Sequence, residues 1–142
     1  DGDARISMER ELLAGDLQRF DVLAVDAFSS DSIPAHLLTH EALVLYMKHL
    51  TADGVLALHI SNRHLDLRPV VAGLAQQEGL LSRIVEADGN DRGCWGSTWV
   101  LVTANREFAA RPVIVNAESD HETESGADIW TDDYSNIYQI LN

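Results

Sequence analysis

The chain has 142 residues, with 23 acidic against 10 basic side chains and a formal net charge of −13. That charge repels phosphate backbones and argues against nucleic acid as a partner, while it draws cationic ligands, polyamines among them. The apolar share of 46% is that of a folded globular protein, no apolar run approaches the roughly 18 residues of a membrane span, and the single Cys94 excludes an internal disulfide.

Residues 6–14 have helical content, with Leu12 and Leu13 apolar beside Glu9, Arg10 and Glu11, and Gly15 is placed to end the helix. FDVLAVD at 20–26 is a short, nearly continuous apolar run closed by an acid. That pattern predicts a strand buried on both faces of a parallel sheet. A polar loop at 27–33 leads to Pro34. Thr39 then suits an N-cap, with Glu41 in the first turn of a helix whose apolar face is Leu43, Tyr46, Met47 and Leu50. TADG at 51–54 reads as a turn.

VLALHI at 55–60 predicts the next buried strand, with Ser61 and Asn62 opening the loop after it. A third helix is expected over 66–78, with Val70, Val71 and Leu74 inward and Gly79 as its stop. Strands follow at 80–86 and 98–103, separated by a glycine- and acid-rich loop, with a short extra strand at 113–115. The acidic stretch 118–126 has no period and reads as a loop. Residues 132–141 are expected to form a short closing helix.

This order predicts an α/β fold, with parallel strands joined by right-handed crossovers and an antiparallel strand at the edge. In such sheets ligands sit at the C-terminal ends of the strands. Three loops reach that edge here, at 1–5, 26–34 and 59–62.

Two stretches carry a family resemblance: GDAR at 2–5 ahead of FDVLAVD, and VDAFSSDSIP at 25–34 followed by HLLT at 36–39. Together they resemble the second half of spermidine synthases and their bacterial relatives. TDDY at 131–134 is similar to the subgroup in which this domain follows transmembrane helices. The resemblance implies a partial Rossmann-like, methyltransferase-type sheet, mostly parallel and flanked by helices. It treats residues 1–142 as one C-terminal domain fragment, with the nucleotide-binding half upstream. It also implies a cytoplasmic setting, transmembrane helices upstream in the full-length protein, and a fragment that is inactive alone and dimerises through its open sheet edge.

The activity so implied moves an aminopropyl group from decarboxylated S-adenosylmethionine, a co-substrate, to a diamine such as putrescine, with no tightly bound cofactor. By the resemblance, Asp3 accepts a hydrogen bond from the adenine amino group and Ala4 lies beside the ring. Asp26 orients or deprotonates the attacking amine. The family usually has a second acid three residues later. Ser29 stands there, and Asp31 is the nearest substitute, also suited to an Asx turn before Pro34. The resemblance also implies that Asp132, Asp133 and Tyr134 face the substrate pocket, the other reading being a solvated end. The other readings are an S-adenosylmethionine-dependent methyltransferase and a non-catalytic polyamine- or nucleoside-binding module.

The chemistry is attack of an amine on a carbon next to a sulfonium, where alignment supplies much of the rate. A free amine titrates near ~10.4 and an aspartate near ~3.9, so positioning ranks above base catalysis for Asp26. His36 and His40 share a helical face, but spacing places no third metal ligand, which favours ordinary histidines. His59 ends an apolar strand and reads as a hydrogen-bonded histidine near the site. Ser29 and Ser30 lack the glycines of a nucleophile elbow, and Cys94 reads as an inert thiol. Trp95 and Trp99 read as packing residues.

Overall fold

A computed structural model describes residues 3–26, 35–62, 64–89, 96–119 and 127–141. Among these residues no helix is long and apolar enough to cross a membrane. The fold is α/β, a four-stranded mixed sheet flanked by helices.

The first helix, α1 (Ala4–Ala14), starts two residues earlier than the apolar pattern indicates. The Asp3 side chain caps it, accepting from the Arg5 and Ile6 N–H groups. Gly15 ends it at φ 76°, a left-handed conformation that costs glycine little. Strand β1 (Phe20–Val25) follows. Helix α2 (His40–His49) begins where expected, with Thr39 accepting from the Ala42 N–H. Its residues Leu43 and Tyr46 are buried.

Strand β2 (Leu50–His59) is longer than expected because TADG is part of it rather than a separate turn. Phe20 faces Leu50, whereas Val22 faces Val55, so β2 carries three more residues than β1 across this step. The excess is absorbed as an irregularity in the ladder, a use to which turn-forming residues are suited. Gly54 sits at its tightest point. A Cβ there would come within 2.9 Å of the Leu50 Cβ and 3.0 Å of the Phe20 carbonyl oxygen.

Helix α3 (Arg68–Gln77) starts two residues later than predicted, with Pro69 in its first turn. Val70, Val71 and Leu74 are buried as expected, and Gly79 leaves the helix at φ 67°. Strands β3 (Leu81–Ala87) and β4 (Ser97–Thr103) complete the sheet.

The strand order is β1-β2-β4-β3. β1 and β2 are parallel, and β4 is antiparallel to both neighbours. The antiparallel strand is therefore not at the edge, as expected, but between β2 and β3. The return from β3 to β4 is direct, without a crossover helix, which forces the antiparallel pairing.

FDVLAVD is likewise not buried on both faces. β1 is an edge strand, paired among the described residues with β2 alone, and Phe20 and Val22 are 37% and 63% exposed. Its composition suits a central strand, but burial depends on neighbours that strand composition does not supply.

Residues 113–115, expected as a strand, lie in the helical turn α5 (Pro112–Val115), which follows the short α4 (Arg106–Ala109). Pro112 occupies the first helical turn. The outer edge of β3 is instead met by Glu118, which bridges Val85, while the Ser119 N–H donates to the Ile84 carbonyl at 2.8 Å. The rest of the predicted acidic loop lies outside the described residues, as do most of the loops expected at 27–33 and 87–96. The closing helix shrinks to a 3-10 turn, Ile137–Ile140.

The core lies between the central strands and the helices: Leu56, Leu58, Val100 and Val102 against Leu43, Tyr46, Val71 and Leu74. Trp130 and Ile140, from the C-terminal stretch, are buried in the same cluster.

Candidate functional site at the sheet edge

Asp26 is the first residue beyond β1, and His59 is the last of β2. Val25 is paired with Leu58, so the next parallel pair is Asp26 with His59. His59 Nδ1 lies 2.7 Å from Asp26 Oδ1. The other ring nitrogen, Nε2, lies 2.7 Å from Ser61 Oγ. Ser61 Oγ also accepts the Thr98 backbone N–H at 2.8 Å. The imidazole stacks on Trp99, its antiparallel neighbour on β4, with centroids 4.8 Å apart and planes at 20°. The Asp26 side chain remains 58% exposed, against 21% for His59. A carboxylate thus stands at the mouth of the sheet, held through one oxygen by a ring that is itself held on two sides.

Beside Ser61 lies a cavity of about 140 Å³ lined by Ile60, Asn62, Asp66, Arg68, Glu86 and Thr98. Arg68 grips both Asp66 oxygens at 2.8 Å and reaches Glu86 at 3.3 Å. The hydrogen bond to Asp66 holds the guanidinium above its ordinary pKa.

A second cluster forms around the start of α1. Asp3 Oδ1 receives the Arg5 N–H at 2.8 Å and the Ile6 N–H at 3.2 Å, while Oδ2 pairs with His36 Nε2 at 2.8 Å. The His36 hydrogen bond, aided by the two backbone donors, holds the Asp3 carboxyl below its ordinary pKa. Arg5 is buried and crosses to Asp132, donating through Nη1 at 2.7 Å and through Nη2 to the second oxygen. It also reaches the Thr39 hydroxyl and Glu9. Arg5 and then the Thr39 hydroxyl hold the Asp132 carboxyl below its ordinary pKa.

The structure therefore gives Asp3 a capping and pairing role, with Ala4 exposed at the first position of α1. Tyr134 closes the 131–134 turn. Its hydroxyl donates to Asp128 at 2.8 Å, which raises its pKa. Neither Asp3 nor Tyr134 touches Asp26 among the described residues. Ser29 and Asp31 lie outside the described residues, as do Cys94 and Trp95. His36 and His40, weighed as metal ligands, pair with Asp3 and Glu78, and no group of three metal-ligating side chains occurs among the described residues.

Sequence reasoning missed the Asp26–His59–Ser61 chain and the Arg5–Asp132 pair. The first was accessible from the register of two adjacent parallel strands, and His59 had been marked as lying near the site. For the second, GDAR and TDDY carried the resemblance separately, with no sequence signal that they touch.

No protein-family profile matches this chain. It is 42% identical over 55 residues to a polyamine aminopropyltransferase of Vibrio vulnificus (strain CMCP6). The match covers 39% of this chain and 18% of that protein. It supports a spermidine synthase-like relationship over that stretch.

Proposed function

We propose that the sheet edge at Asp26 receives a primary amine in a group transfer of the aminopropyltransferase kind. The observation that carries this reading is the placement of Asp26: a strand-end carboxylate, 58% exposed, tethered by one oxygen and facing the edge where α/β sheets bind ligands. The partial relationship to a polyamine aminopropyltransferase points to the same chemistry. The formal charge of −13 attracts a cationic acceptor toward this edge.

In that reaction the amine nitrogen attacks the carbon next to the sulfonium of decarboxylated S-adenosylmethionine. The new C–N bond forms as the C–S bond breaks, methylthioadenosine leaves with the electron pair, and the nitrogen gives up a proton to solvent water. Asp26 holds the nitrogen by a charge-assisted hydrogen bond. Its main contribution is alignment, because a carboxylate is a far weaker base than an amine.

A second reading, methyl transfer from S-adenosylmethionine, is favoured by one sequence feature: Ser29 stands where a diamine site of this kind usually has its second acid. Isothermal titration of the protein with putrescine, methylthioadenosine and S-adenosylmethionine separates the two. Putrescine binding that Asp26→Asn abolishes supports aminopropyl transfer, and S-adenosylmethionine binding without an amine requirement supports methyl transfer. A folded protein that binds none of the three ends both.

A further inference from the structure

We propose that His59 is a positioning residue that orients the Asp26 carboxylate toward a primary ammonium. This inference deepens the amine-site reading above and rests on it for its functional consequence.

With the imidazole neutral, donor and acceptor roles along the chain leave one consistent assignment. The Thr98 backbone N–H can only donate, and it donates to Ser61 Oγ. An ionised carboxylate can only accept, so the proton between Asp26 and His59 sits on Nδ1. A neutral imidazole carries one N–H, which leaves Nε2 as an acceptor for the Ser61 hydroxyl proton. Each group then does one thing: Thr98 N–H to Ser61, Ser61 O–H to His59, His59 Nδ1–H to Asp26. Trp99 fixes the plane of the ring from one face.

The tether restrains rotation of the carboxylate through Oδ1, with its other oxygen on a side chain open to solvent. An ammonium N–H can be received there. Ser61 serves here as an anchor for the ring rather than as a nucleophile.

Long-range proton–nitrogen NMR of the imidazole tests the tether without any ligand. His59 is expected as the Nδ1–H form in the wild type, and Asp26→Ala should mix the two tautomers while the backbone amide spectrum is kept. An Nε2–H or doubly protonated ring, or a tautomer indifferent to Asp26→Ala, overturns the assignment.

Titration with putrescine tests the consequence. His59→Ala and His59→Gln should weaken putrescine binding about tenfold, the size of one charge-assisted hydrogen bond. His59→Asn, whose amide N–H falls where Nδ1–H stood, should restore it. An asparagine variant as weak as alanine overturns the positioning role. If the wild type binds no amine, the function proposed above fails, and the tautomer measurement alone decides whether His59 holds Asp26.

Discussion

Arg5 and Asp132 stand 127 positions apart in sequence and meet in a two-pronged ion pair. The pair ties the first turn of α1 to the C-terminal stretch, and the Thr39 hydroxyl, donating to Asp132 at 2.8 Å, brings the start of α2 into the same knot. The Arg5 side chain is 9% exposed and that of Asp132 is 42% exposed. Removing the acid leaves a nearly buried cation with Glu9 as its remaining anionic partner among the described residues. Asp132→Ala should destabilise the fold by about 1–3 kcal/mol, below the range for a wholly buried pair because one partner is half in water. Chemical denaturation checks this, and an unchanged midpoint would mean that the knot contributes nothing.

The same pair sets an acid limit. Asp132 titrates below an ordinary carboxyl because Arg5 and Thr39 bind its ionised form, and Asp3 does so because of His36. A depressed folded-state pKa contributes stability above the unfolded value, near ~3.9, that is lost as pH falls through the folded value. Melting temperature should therefore decline as pH drops below about 4. The decline should be shallower in Asp132→Asn, and equal slopes in the two proteins would remove Asp132 from the account.

At the alkaline end the relevant group is Tyr46. Burial pushes its phenol up to about 12, while its hydroxyl donates to the Leu37 carbonyl at 3.3 Å. A raised folded-state pKa means that stability is complete below the unfolded value near ~10 and falls as pH rises towards the folded one. Ultraviolet titration of the phenolates should show a late step that disappears in Tyr46→Phe. If the late step survives the substitution, another tyrosine is responsible.

Gly54→Ala should cost about 1–3 kcal/mol, the range for overpacking. Besides the Leu50 Cβ, the added methyl meets the Phe20 and Thr51 carbonyl oxygens at 3.0 and 3.1 Å, and backbone cannot swing aside as a side-chain tip can. A lowered denaturation midpoint is the expected result.

The edge of β1, paired among the described residues with β2 alone and with Val22 mostly exposed, should support self-association of the chain. Sedimentation should find a dimer that Val22→Lys weakens. A strictly monomeric chain across the accessible concentration range would count against it.

Much of this architecture was legible where local chemistry decides. Thr39 with Glu41 announces α2, Gly15 and Gly79 mark helix ends, and the apolar spacing of Val70, Val71 and Leu74 gives the buried face of α3. What resisted reading depends on partners. The β-branched run around Val113 has strand composition, but Pro112 starts a helical turn and Glu118 meets the β3 edge instead. FDVLAVD looks central and lies at an edge. Asp26 was legible as a strand-end acid, whereas its union with His59 needs the strand register, which composition does not carry.

That register hangs on the local excess of residues at the head of β2. Side chains along a strand alternate between faces, so shortening the 51–54 excursion by one residue would exchange the faces of everything after it. Leu56 and Leu58 would leave the core together, and His59 would no longer stand opposite Asp26. The core and the polar edge are set by one and the same count, so the length of this segment is under a double constraint that Ala52 and Asp53, exposed and ordinary-looking, do not advertise.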